Sequence, residues 1–104
     1  MSNDQQARDI FSRIAHALAD PRRYEILKQI ASQRTPLSFA ALRREHDIGA
    51  PTMSYHLKLL TEANLIDVKR QGKRITVILR PEIVEQYLRD VERQLRLTSI
   101  PETS

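Results

Sequence analysis

Apolar residues recur along this chain at helical spacing in five stretches and alternate in two short ones between the fourth and fifth. The breaks fall at residues that start or stop helices. From about Asp4 to Leu18, the positions Ala7, Ile10, Phe11, Ile14, Ala15 and Leu18 predict a first helix. Asp20-Pro21 restarts the chain, because an aspartate side chain accepts the free N–H groups of a helix start and proline suits the first helical position. Tyr24, Ile26, Leu27, Ile30 and Ala31 make the second helix apolar over a broad face, which predicts a central place in the fold. Thr35-Pro36 ends the next connection. Leu37 and Leu42 flank Ser38 at the spacing of a hydrophobic staple around a helix cap, so a third helix runs from Ser38 to about His46.

A tight connection follows at Asp47-Ile48-Gly49-Ala50, and Pro51 opens a fourth helix. Its end is expected at Asn64, since asparagine tolerates the left-handed conformation that closes many helices. Leu65 to Lys69 and Arg74 to Val77 alternate as strands, with Gln71-Gly72 between them and Gly72 able to supply a positive φ. Pro81 opens a last helix that continues to Leu97. The tail 98–104 is polar, contains a proline and is expected to fray. With no internal repeat, residues 1–97 form one expected domain, mostly α with a small β-hairpin.

Helix, turn, helix and then a hairpin is the order of a winged helix-turn-helix, which places one helix in a DNA major groove and a loop along the phosphates. Charge supports that reading through its placement. The net charge of +4 is modest, but Lys69, Arg70, Lys73 and Arg74 crowd the hairpin tip. On the fourth helix Met53, Leu57 and Leu60 share a core-facing side. Thr52, Ser54, Tyr55 and Lys58 lie off it, and hydroxyls, a lysine and an aromatic ring can serve base edges, phosphates and a thymine methyl. The bland alternatives are an amphipathic surface helix and a solubilising hairpin edge. His56 falls near the buried edge, where packing and one fixed hydrogen bond are expected of it. Arg43 and Arg44 either touch the DNA backbone or are simply solvated.

Two apolar stripes remain. Ala7, Phe11, Ile14 and Leu18 are spaced 4-3-4, and so are Val84, Leu88, Val91 and Leu95. This is the seam spacing of helices packed nearly parallel. A chain of 104 residues is small for a free-standing core. The stripes therefore predict a twofold homodimer with two reading helices for a palindromic site; the alternative is a monomer that wraps both helices on its own core.

Composition narrows the rest. The absence of cysteine excludes a disulfide framework, a thiolate zinc site and thiol redox sensing. No stretch approaches the ~18 consecutive apolar residues of a membrane span, and the polar Met1-Ser2-Asn3-Asp4 start has no apolar signal region, so a cytoplasmic protein is expected. No nucleophile–base–acid set, phosphate loop or metal motif is present, so neither catalytic residue, cofactor nor metal is assigned. His16, His46 and His56 show no ligand spacing, and Glu82, Glu85, Asp90 and Glu92 read as a solvated helix face.

The residues 17–27, Ala-Leu-Ala-Asp-Pro-Arg-Arg-Tyr-Glu-Ile-Leu, together with Ser54-Tyr55-His56-Leu57-Lys58-Leu59-Leu60, resemble signatures of the ArsR-type winged-helix repressors. Ala63-Asn64-Leu65-Ile66 and Lys69 to Lys73 are similar to that family's helix end and wing, with Asn64 where glycine is usual. The resemblance covers nearly the whole chain. It implies a cytoplasmic prokaryotic dimeric repressor that pairs through its first and last helices. It also implies DNA contact through Thr52, Ser54, Tyr55 and the wing. Its metal switch does not carry over: the third helix has no cysteine and the last has no histidine. The inducer stays unassigned between a small molecule, a metal and none. The rival function of another class is a protein-interaction module whose winged helix docks on a partner, separable by salt-dependent binding to duplex DNA.

Overall fold

The structure, a computed structural model, describes residues 3–97. Its elements are α1 (Asn3–Leu18), α2 (Pro21–Ala31), β1 (Leu37–Ser38), α3 (Phe39–His46), α4 (Ala50–Glu62), β2 (Ile66–Gln71), β3 (Arg74–Leu79) and α5 (Pro81–Gln94). The expected tail 98–104 lies outside the described residues. The helical order matches the expectation, and one element is new. Leu37 and Ser38 pair antiparallel with Val77 and Thr76, so the hairpin belongs to a three-stranded sheet ordered β1-β3-β2. Ser38 serves this strand and still caps α3, its hydroxyl accepting the Ala41 N–H at 3.0 Å.

Ends of elements follow local chemistry. Asp20 Oδ1 accepts the backbone N–H groups of Arg22 at 2.8 Å and Arg23 at 3.1 Å, and Pro21 stands at the start of α2. Helix α4 closes with Asn64 at φ +62°, as expected. The Leu65 N–H bonds the Leu60 carbonyl and the Asn64 N–H bonds the Thr61 carbonyl, which satisfies the last free carbonyls in the Schellman pattern. Leu60 and Leu65 are both fully buried, so this cap also turns the chain into the core. The same pattern stops α5 at Gln94, earlier than the expected Leu97. Arg96 takes φ +58° and the Leu97 N–H returns to the Glu92 carbonyl.

The strands run two residues further than the alternation suggested, and the turn between them is Gly72-Lys73, flanked by the facing pair Gln71 and Arg74. Only Gly72 has a positive φ there, +61°, the backbone pattern of a II′ hairpin turn. Ile26, Ile30, Leu42, Met53, Leu60, Leu65, Ile66 and Val77 form the fully buried centre, with α2 at its heart. Tyr24 and Ala31, read from the sequence as part of the apolar face of α2, are exposed, and so are Ala7 and Ala15 on α1. Helical spacing assigned them a face wider than the one the neighbouring elements cover.

Candidate nucleic-acid interface

Helices α3 and α4 are joined through Asp47, Ile48 and Gly49. Asp47 takes the left-handed conformation, φ 51° and ψ 50°, and ends α3. Gly49 precedes the first turn of α4, where the Met53 N–H bonds the Gly49 carbonyl at 3.0 Å. Ile48 packs against the core between them. Two arginines brace the carbonyls that this turn leaves free. Arg43 Nε donates to the Ile48 carbonyl at 3.4 Å, and Arg22 Nη1 donates to the His46 carbonyl at 3.4 Å. Arg43 thus has an intramolecular task that neither expectation for it included.

Met53, His56, Leu57 and Leu60 bury one side of α4. Thr52, Ser54, Tyr55 and Lys58 are exposed, Tyr55 to 55 %. The wing cations Lys69, Arg70, Lys73 and Arg74 are exposed as well. None of these eight side chains makes a hydrogen bond or ion pair among the described residues, so their polar groups are available to a ligand. A polar helix face and a cationic hairpin from adjoining segments, with these polar groups unengaged among the described residues, suit a groove flanked by phosphates.

His56 meets the expectation of one fixed bond, and its partner is a residue the sequence reading missed. Arg23, only 4 % exposed, sends Nη1 to His56 Nδ1 at 3.4 Å. Its Nε donates to the Ala17 carbonyl at 2.7 Å and its Nη2 to the His16 carbonyl at 3.3 Å. Asp20 Oδ2 stands 3.9 Å from Nη1. The backbone N–H of Arg23 above all, with that of Arg22 and the Arg23 charge, holds the Asp20 carboxyl below the usual carboxylate range; desolvation opposes them. Burial pushes the His56 pKa below the usual histidine range, against the pull of Asp20. The sequence did hold a signal for Arg23. The last carbonyls of α1 need donors, and an arginine just past the Asp20-Pro21 start can supply them.

The expected dimer residues fall into two groups. Ile14 is 2 % exposed and sits in the chain's own core, while Leu18 and Val84 are half-buried against it. Those three are occupied at least in part within the chain, so only part of each stripe is left for a partner. Ala7, Leu88 and Leu95 are exposed, and Phe11 and Val91 are half-buried. Between α1 and α5 runs an open groove of about 970 Å³, floored by Ala7, Ile10, Phe11, Ile83 and Tyr87. No residue of α5 is buried in the single chain.

Among the described residues no group of three or more His, Cys, Asp or Glu is placed to hold a metal ion, and no helix is long and apolar enough to cross a membrane.

Residues 18–69, from the end of α1 to the middle of β2, match the family model described as a helix-turn-helix domain. The chain belongs to the helix-turn-helix domain family. Solved structures extend the likeness of this helix-turn-helix protein to the wing and both outer helices. An ArsR-like transcriptional regulator from Rhodococcus sp. RHA1 superposes with a TM-score of 0.73 at 22 % identity, over 85 % of this chain and 81 % of the other. An ArsR family transcriptional regulator at 25 % identity gives a TM-score of 0.74, over 85 % and 94 %. The homodimeric winged helix-turn-helix DNA-binding domain of a possible ArsR-family regulator from Mycobacterium bovis gives 0.71 at 22 % identity, over 90 % and 87 %. No curated protein matches the sequence. The fold is therefore an ArsR-type winged helix-turn-helix, and the residues quoted for that resemblance lie where it requires: the second signature on α4 and the basic run on the β2–β3 hairpin.

Proposed function

We propose that this DNA-binding regulator is a cytoplasmic homodimeric repressor that reads a palindromic operator. One observation carries the reading. The outward side of α4 and the hairpin tip present eight polar or cationic side chains that make no hydrogen bond or ion pair among the described residues, on the two elements a winged helix applies to DNA. Thr52, Ser54, Tyr55 and Lys58 would enter the major groove, and Lys69, Arg70, Lys73 and Arg74 would lie on phosphates.

Dimerisation is supported by the α1–α5 groove, by the exposed Leu88 and Leu95, and by the homodimeric state of the similar Mycobacterium bovis domain. A twofold pair repeats the reading helix about every 34 Å, one turn of duplex, so the operator is an inverted repeat. Repression would be steric: a dimer on a palindrome near a promoter denies that stretch to polymerase.

The test is selection of bound duplexes from a random pool, followed by sedimentation of the protein with the winning sequence. The expected result is an inverted repeat bound by two chains. A pool with no enriched sequence would favour a protein-docking module instead, and enrichment of a single half-site bound by one chain would remove the dimer.

A further inference from the structure

We infer that Arg23 is a positioning residue for the reading helix, joining α1 to α4 through His56, and that protonation of His56 opens this joint and weakens operator binding. The inference rests on α4 being the reading helix.

The joint is built from obligatory partners. A guanidinium has five N–H donors and no acceptor, so the ring nitrogen facing it must offer a lone pair. His56 is therefore the neutral tautomer with its proton on Nε2 and Nδ1 free to accept. The same guanidinium holds the carbonyls of His16 and Ala17, the last turn of α1. One planar group thus spans the helix that lines the α1–α5 groove and the helix that carries Tyr55, the residue beside His56. With 8 % of His56 and 4 % of Arg23 exposed, water cannot replace either partner cheaply.

A proton on Nδ1 turns this contact into two donors, and two cations, 3.4 Å apart. The other charged groups acting on His56 are Asp20 from the α1–α2 turn, Arg22 from α2 and His46 from the end of α3; only Asp20 favours the cation. The basic and imidazole side chains of α1 beside α4, Arg13 and His16, line a separate small cleft with Leu59 and Glu62. Three cationic or protonatable neighbours against one carboxylate, together with burial, keep His56 neutral at pH 7. The folded form then binds fewer protons than the unfolded chain, for which the histidine pKa is about 6.5. Stability and the joint are both intact above that value, and they weaken as the pH falls below it.

Acidification by itself makes the protein more cationic and should tighten its grip on phosphates. A fall in operator affinity would run against that trend, so the two effects are separable. The experiment is fluorescence anisotropy on the selected operator and on random duplex, at constant ionic strength, between about pH 7.5 and about pH 5, with circular dichroism at each pH. The wild-type protein should lose roughly tenfold or more in operator affinity while random-duplex binding holds or rises and the helices remain. His56→Asn places an untitratable acceptor near the Nδ1 position, so its operator affinity should stay flat, within about twofold over the same range. Arg23→Lys cannot span three acceptors and should lose operator preference at every pH while binding random duplex.

A wild-type affinity that holds or rises on acidification, or a fall shared by His56→Asn, would overturn the proposal. Failure of the wild-type protein to bind any duplex near neutral pH would strike instead at the DNA-reading function on which the proposal rests.

Discussion

Phe11 of α1 and Tyr87 of α5 hold their ring centroids 4.8 Å apart at an interplanar angle of 40°. Such a tilted pair adds about 0.5–1.5 kcal/mol beyond the area it covers. Ile83, Val84 and Tyr87 are partly buried against the core, Asp90 and Val91 are half-buried, and the other residues of α5 are exposed. The last helix is thus anchored near its start and free along the side that carries Leu88 and Leu95.

This separates two substitutions that look equivalent on a helical wheel. Leu88 is 58 % exposed, so Leu88→Glu leaves the single chain's packing intact. It should give a folded monomer whose operator affinity falls by roughly tenfold or more, since a carboxylate in an apolar interface is costly. Phe11→Glu removes the ring under Tyr87 and should also lower the melting temperature. Analytical ultracentrifugation with thermal melts distinguishes them; wild-type protein sedimenting as a monomer at micromolar concentration would end the dimer reading.

For the wing, Arg70→Ala combined with Arg74→Ala should weaken binding to all duplexes with little change in preference. Each lost phosphate contact should flatten the slope of log affinity against log salt by about 0.9. Titrations at several salt concentrations measure it directly. An unchanged slope would place these arginines off the DNA.

On the reading helix, Ser54→Ala and Tyr55→Ala should reduce preference for operator over random duplex more than they reduce random binding. Loss of a base contact costs on the order of 1–3 kcal/mol. Both side chains are exposed and neither makes a hydrogen bond among the described residues, so melting curves should superpose on the wild type. Competition binding with operator and random duplex gives the ratio, and equal losses on both would assign these residues to the phosphates.

Asn64, at φ +62°, closes α4 where a residue without a side chain would be unstrained. Asn64→Gly should therefore be neutral or slightly stabilising. Asn64→Val forces a β-branched residue into the left-handed region and should cost about 1–2 kcal/mol in urea unfolding. Equal stability of the two variants would mean that the cap contributes little.

Much of this architecture was legible because its markers are local. Asp20-Pro21, Ser38 with its flanking leucines, Asn64 and Gly72 each act on their own few residues, and each sits where its chemistry requires. The eight candidate DNA contacts were legible for a related reason, since a polar helix face and a basic turn need no distant neighbour to declare themselves. What escaped depends on residues far apart in sequence. Two residues cannot show strand alternation, so β1 emerges only when Val77 and Thr76 pair with it. Spacing alone cannot tell Ile14, sealed in the core, from Leu88, left outside. The burial of Arg23 requires the end of α1, the start of α2 and His56 of α4 to meet around one guanidinium.

A last helix with no fully buried residue has a consequence for the lifetime of the chain. Segments with few buried apolar contacts open far more often than the core, and cleavage in that regime tracks the open population. If the proposed homodimer forms, newly made subunits still searching for a partner would offer α5 to proteases, and paired ones would hide it. Turnover would then favour the assembled form, holding the surplus of single chains low without any separate sensor of their number.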